Sequence, residues 1–217
     1  VVGAGLAARH KKSAAVSVAF FGDGATGQGI LYESMNMSAL WQLPVLFVCI
    51  NNQYGMGTRI DNATAVPDIH KRAAPFGLKG ASVDGTDVES VSEIAGEMLA
   101  DARAGKPGLL VVDCYRFFGH ARMDKSPYRD DVEEAEGRLR DPVMKARQTL
   151  ISRGEISSVS LDEMDQQIAA EMDATIDFAA NAREPQLDSI FEDVYDPKTP
   201  PPESVRGRLA RILGQTR

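Results

Sequence analysis

Two glycine-rich turns, each closing an apolar run, limit what this chain can fold into. The first is Gly22-Asp23-Gly24-Ala25-Thr26-Gly27-Gln28-Gly29, preceded by the β-branched run from Ala14 to Phe21. The second is Asn51-Asn52-Gln53-Tyr54-Gly55-Met56-Gly57, preceded by the run from Val45 to Ile50. Between them Gln28 to Trp41 reads as a helix. Strand, turn, helix, strand, turn is a βαβ unit, so both turns lie at carboxyl ends of parallel strands. In open α/β sheets those ends are where ligands bind.

The residue types in the turns narrow the ligand. Four glycines from Gly22 to Gly29 let backbone approach a bound group closely. A helix N-terminus that follows offers free N–H groups and a positive dipole end, which suit a phosphate or diphosphate. Asp23 brings a carboxylate and Asn52 an amide oxygen; hard oxygen donors beside a diphosphate are an environment for Mg. Each turn alone is common in α/β proteins. Their pairing is more specific, with Asn52 twenty-nine residues after Asp23.

Later segments extend the alternation. Leu78 to Val83 reads as a third strand and Gly108 to Tyr115 as a fourth, almost continuously apolar, as for a parallel strand covered on both faces. Between them Thr86 and Glu89 have capping-box spacing. Val88, Val91, Ile94, Ala95, Met98 and Ala102 then repeat with helical period, and Gly105 ends the helix. Pro67 to Phe76 reads as a short helix and Thr58 to Val66 as a polar loop. This pattern predicts an α/β fold with a doubly wound parallel sheet. Beyond residue 130 the chain reads as a helical extension. Asp141-Pro142 opens one helix that Gly154 closes. Ser160 and Glu163 box another, with Leu161, Met164, Ile168, Met172, Ile176 and Ala179 on one face. Phe191 to Val194 reads as a weak strand, Pro197 to Pro202 as irregular chain, and Val205 to Leu213 as a short helix.

With 217 residues, 43% apolar, the chain is long enough for one sizeable core. Its net charge of −7 comes with no basic cluster to attract nucleic acid or an anionic membrane. No stretch approaches the ~18 apolar residues that span a bilayer. Cys49 and Cys114 each fall inside a predicted buried strand and read as reduced core thiols of a cytosol-like compartment.

The text GDGATGQG followed by YESMNMSALWQLPVLFVCINNQYGMGT resembles the alpha subunit of the first, decarboxylating component of 2-oxo acid dehydrogenase complexes. The resemblance runs from Val1 to about Tyr195 and is densest from Gly22 to Gly57. It implies the thiamine-diphosphate-binding fold, with 1–130 as the diphosphate-binding domain and 131–217 as its helical extension. Thiamine diphosphate would lie against Gly22, Asp23, Gly24, Ala25, Asn52, Tyr54 and His120. Mg would be held by Asp23, Asn52 and the Tyr54 carbonyl. His120, in the loop from Arg116 to Arg129, takes the catalytic role by the same resemblance. Implied partners are a beta subunit, in an alpha2beta2 assembly, and a lipoyl acyltransferase. The beta subunit would carry the glutamate that activates the cofactor. The substrate would be pyruvate, a branched-chain 2-oxo acid or acetoin. Ala121 stands where mammalian members carry a phosphorylated serine, and Phe118 where many pyruvate-specific members have histidine.

The resemblance also implies a bacterial cytoplasm or a mitochondrial matrix, and upstream residues with further cofactor and substrate contacts. A different class is a non-catalytic scaffold that assists assembly. A nucleotide-phosphate binder is disfavoured, because no G-x-x-x-x-G-K-[ST] occurs.

Overall fold

The computed structural model describes residues 1–192, 194 and 204–214. Its elements in chain order begin with helix α1 (Val2–His10), strand β1 (Ser17–Gly22), a 3-10 turn Asp23–Gly27, helix α2 (Gly29–Leu40) and strand β2 (Val45–Asn51). A small hairpin follows, β3 (Tyr54–Gly55) and β4 (Thr58–Arg59), then the single turn α3 (Ile60–Ala63) and a 3-10 segment Ile69–Phe76. Strand β5 (Lys79–Asp84), helix α4 (Val88–Arg103) and strand β6 (Gly108–Asp113) complete the sheet region. Helices α5 (Asp131–Leu139), α6 (Pro142–Ser152), α7 (Ser158–Ala180) and α8 (Val205–Ile212) come last.

The main sheet runs β1-β2-β6-β5 with every neighbour parallel. Since β6 returns between β2 and β5, the winding reverses and helices cover both faces. On one face Met35 of α2, Ile69, Ala73 and Leu78 pack on Val45, Phe47, Cys49, Leu109 and Val111. On the other, Met98 of α4 packs on Leu46, Val48 and Leu110. Central β2 is therefore buried almost throughout, which explains its unbroken apolar sequence. Strand β1 lies at the sheet edge; Val18 and Phe20 point away from the core, and Phe20 is 72% exposed.

Several local expectations need correction. Thr86 does not cap α4. Its N–H and hydroxyl both donate to Asp84 Oδ1 (3.0 and 2.7 Å), which leaves Asp87 as the N-cap, accepting from the Ser90 N–H. Ser160 lies inside α7, which starts two residues earlier, at Ser158. Cys114 falls just past the end of β6 and is only half-buried, so one of the two thiols lies outside a buried strand. The 58–66 stretch is partly ordered as β4 and α3. Phe191 closes a 3-10 turn, Leu187–Phe191, in place of the expected strand. Pro197 to Pro202 lies outside the described residues. Asp141 does cap α6, accepting from the Val143 and Met144 N–H groups.

The chain divides into two compact units, Val1–Ser158 and Val159–Arg217, so α5 and α6 belong with the sheet. Lys145 of α6 pairs with Asp84 and Asp87 (3.4 and 3.3 Å), and Arg153 forks onto Glu89. In the second unit α7 presents Met164, Ile168, Met172 and Ile176 as exposed apolar residues. Among the described residues no helix is long and apolar enough to cross a membrane.

Phe47 is 1% exposed at the centre of β2. Phe47→Ala is expected to lower unfolding stability by about 3–5 kcal/mol, through lost transfer energy and the cavity left behind. Urea unfolding followed by circular dichroism measures this.

Candidate functional site

Strand β1 ends at Gly22 and the chain turns at once into the 3-10 turn Asp23–Gly27. The α-helix that follows begins only at Gly29, so the turn and not the helix meets the strand end. Hydrogen bonds to one another hold the turn's shape. Thr26, itself buried, donates its hydroxyl to the Asp23 carbonyl (2.6 Å), and its own carbonyl accepts from the Tyr32 hydroxyl (2.5 Å). Asp23 is 5% exposed and joins no ion pair among the described residues. Burial pushes its carboxyl above the usual range. The N–H groups of Asp23, Gly24 and Asn52 and the Arg116 charge oppose that shift.

The second turn is built by its own side chains. Asn52 Oδ1 accepts from the Tyr54 N–H (3.1 Å), Asn51 Oδ1 from the Gln53 N–H (3.3 Å), and Gln53 takes a left-handed φ of 72°. Asn51 also donates to Asp113 Oδ1 (2.7 Å), tying the carboxyl ends of β2 and β6 together. Tyr54 is buried, and its hydroxyl donates to the Glu133 carboxylate (2.8 Å to Oε1). The two turns touch at Gly24 and Gly55. A Cβ on either would lie 3.2 Å from the other's Cα, so backbone would have to give way. Asp23 and Asn52, distant in sequence, therefore share one end of the sheet.

Beside the joined turns lies a cavity of about 580 Å³, lined by Asp23, Gly24, Thr26, Gly55, Met56 and Arg72 among others. Of the residues expected from the sequence, Asp23 and Gly24 line it. Gly22, Ala25, Asn52, Tyr54 and His120 do not. Thr26, Tyr32, Thr64 and Arg72 were missed. Thr26 sits inside the first glycine turn and the other three on separate segments, and no sequence spacing joins them. Among the described residues no cluster of three or more His, Cys, Asp or Glu forms. A metal here would use a single carboxylate plus neutral oxygens. The buried Asp23 carboxylate, the Asn52 amide oxygen and the bare glycine backbones fit such a cation with an anionic group beside it.

His120 is exposed, in the loop after β6. Asp124 organises that loop: its Oδ2 accepts from the His120 N–H (2.8 Å) and the Tyr128 hydroxyl (2.7 Å), its Oδ1 from the Ser126 N–H (2.9 Å). Of the loop's cations Arg116, Arg122, Lys125 and Arg129, the first and last are held by other groups. Arg116 donates to the Met56 carbonyl (2.8 Å), the Phe118 carbonyl and the Tyr128 hydroxyl. Arg129 is buried among the rings of Tyr54, Tyr115 and Tyr128, 5.3–5.8 Å from their centroids, and pairs with Glu134 at 3.3 Å. The His120 loop is thus fastened to the β3–β4 hairpin through Arg116 and the tyrosine cage. Cys49, behind the site, has its thiol pushed up to about 12 by burial and by the Asp23 and Asp113 charges, so it stays protonated.

An α/β crevice at parallel strand ends, with one buried carboxylate beside two glycine turns, is the candidate ligand site of this fold. The family model described as the dehydrogenase E1 component matches residues 1–188. The chain belongs to this family. It is 37% identical over 195 residues to a pyruvate dehydrogenase E1 component subunit alpha of Rhizobium meliloti (strain 1021), covering 88% of this chain and 56% of that protein. It is 38% identical over 197 residues to the alpha subunit of acetoin:2,6-dichlorophenolindophenol oxidoreductase of Cupriavidus necator, covering 90% and 59%. A testis-specific mitochondrial pyruvate dehydrogenase alpha subunit of Rattus norvegicus is 37% identical over 209 residues, covering 94% and 52%. The chain spans between half and two thirds of the length of these relatives.

The Tyr128 hydroxyl, then the Ser126 and His120 N–H groups, hold the Asp124 carboxyl at about 2 instead of its usual value. A depressed folded pKa stabilises the loop above the ordinary carboxylate pKa, about 4, and that contribution is lost as pH falls through about 2. Exchange of the His120 amide proton, corrected for intrinsic pH dependence, is expected to stay slow at pH 4 and above. It should accelerate below, whereas in Asp124→Asn it is fast at every pH.

Proposed function

We propose that this chain is the diphosphate- and metal-holding part of a thiamine-diphosphate-dependent 2-oxo acid dehydrogenase alpha subunit. The observation that carries the reading is the buried Asp23 carboxylate, in no ion pair among the described residues, brought beside the Asn52 turn in a chain of the E1 family. In this reading Asp23, the Asn52 side-chain oxygen and the Tyr54 carbonyl hold Mg. The backbone of Gly22, Gly24 and Ala25 lies against the diphosphate. Thiamine diphosphate supplies, when bound, the carbon nucleophile and the electron sink that decarboxylation needs.

The chain's own contribution is to place charge and protons. Burial raises the Asp23 carboxyl, and a cation bound beside it would favour its ionised form. His120, on a loop fastened to the hairpin by Arg116, accepts or donates a proton at the reacting carbonyl. A beta subunit carries the activating glutamate, so the complete site lies between chains in an alpha2beta2 assembly. The acyl group passes to a lipoyl acyltransferase. A reducing compartment, cytoplasm or mitochondrial matrix, suits the two free thiols. Pyruvate is the first substrate reading, because pyruvate dehydrogenase names recur among the relatives. Acetoin is the second, from the likeness to the Cupriavidus necator subunit.

Calorimetry with thiamine diphosphate and Mg, with a beta subunit present, tests the reading. Asp23→Ala is expected to abolish metal-dependent binding; affinity kept within about threefold (roughly 0.7 kcal/mol) would remove Asp23 from the metal site. His120→Ala should bind the cofactor normally while turnover falls about 100-fold. An unchanged single-turnover rate would leave His120 a structural loop residue.

A further inference from the structure

Arg72, on the 3-10 segment Ile69–Phe76, reaches across the cavity to parts of the chain far from it in sequence. Its Nη1 donates to the Thr26 carbonyl (3.2 Å) and the Tyr32 hydroxyl (2.9 Å). Its Nη2 donates to the Val66 carbonyl (3.0 Å) and the Thr64 hydroxyl. Each terminal nitrogen carries two protons, so all four terminal N–H groups are engaged within the protein. The Tyr32 hydroxyl donates onward to the same Thr26 carbonyl, and the Thr26 hydroxyl donates to the Asp23 carbonyl. One guanidinium therefore holds the Asp23–Gly27 turn on one side and the end of the 60–66 stretch on the other. Thr26, Tyr32, Thr64 and Arg72 all line the cavity between.

The obvious role for an arginine in an anion cavity is direct contact with the anion. Here the fork is spent on protein oxygens, with only Nε–H left over. We propose that Arg72 is a positioning residue: it sets the gap between the two cavity walls and, through Thr26, the orientation of the turn that carries Asp23. Ligand affinity then depends on its planar fork and not on its charge. A lysine keeps the charge but offers three protons from one point in place of two nitrogens in a rigid plane, so it cannot span both walls. The ligand arm of the test rests on the thiamine diphosphate reading above; the geometric arm does not.

Hydrogen exchange of the ligand-free chain is the geometric arm. In R72A and R72K alike, amides of 24–28 and of 60–66 are expected to exchange about tenfold faster or more, while those of β2 and β6 stay protected. Tyr32→Phe removes one donor to Thr26 and should loosen 24–28 alone. Thr64→Val removes an acceptor on the other wall and should loosen 60–66 alone, and these two variants carry the test if R72A does not fold. In the ligand arm, calorimetry with thiamine diphosphate and Mg should show R72K and R72A weakened to a similar degree, tenfold or more. Two results would overturn the inference: exchange unchanged in both stretches, or R72K binding as tightly as the parent, the mark of a charge contact. A parent chain that binds no thiamine diphosphate with a beta subunit present sinks the cofactor reading, while the exchange arm still decides the role of Arg72.

Discussion

The near-contact of two glycine backbones, Gly24 on the first turn and Gly55 on the second, is what the rest of the site depends on. The parallel pairing of β1 and β2 brings the two turns to the same end of the sheet but leaves their separation open. Side chains at those positions would hold the turns apart by backbone displacement, since what each Cβ would meet is the other glycine's Cα. With no side chain there, the Asn52 N–H comes near enough to act on the Asp23 carboxyl, and two unrelated turns become one wall of a cavity. The remaining structure reinforces this closeness. Arg72 braces the first turn from across the cavity, and the Asx turn at Asn52 stiffens the second.

Electrostatics supplies the motive for a ligand. A carboxylate 5% exposed, with no ion pair among the described residues, sits where burial disfavours its charge. The folded state binds that proton more tightly than the unfolded chain, so the contribution of Asp23 to stability declines as pH rises above the ordinary carboxylate range. A carboxyl raised by burial at the end of a parallel strand marks a candidate functional site. The second buried charge, Arg129, is paired within the fold: its terminal nitrogens reach the Arg116 carbonyl, Ser126 and Glu134, and it lies among three tyrosine rings, with only Nε unpartnered. Arg129 also ties the His120 loop to the hairpin through the Tyr54 ring.

Much of this was legible in the sequence where structure is local. The strands of the main sheet follow from apolar runs bounded by glycine turns, and Asp141-Pro142 names its own helix start. Local reading failed where two nearby groups compete for one role. Thr86 has the spacing of a cap, but the Asp84 carboxylate claims it and Asp87 takes the cap. Arg72, Tyr32 and Thr26 could not be picked out, because their roles arise from hydrogen bonds across 40 and 46 residues that no spacing rule encodes. The same holds for the Arg129 cage, whose rings come from three separate segments.

The central claim is that closeness of the two turns, more than the identity of any single ligand, makes the site. The most direct measurement is Mg-dependent thiamine diphosphate affinity in Gly24→Ala, Gly55→Ala and the double variant, with thermal unfolding recorded in parallel. The account predicts that each single change weakens binding about tenfold or more with little change in unfolding temperature. It also predicts that the double change adds little to either, because one methyl already parts the turns. Parental affinity in both single variants would contradict it.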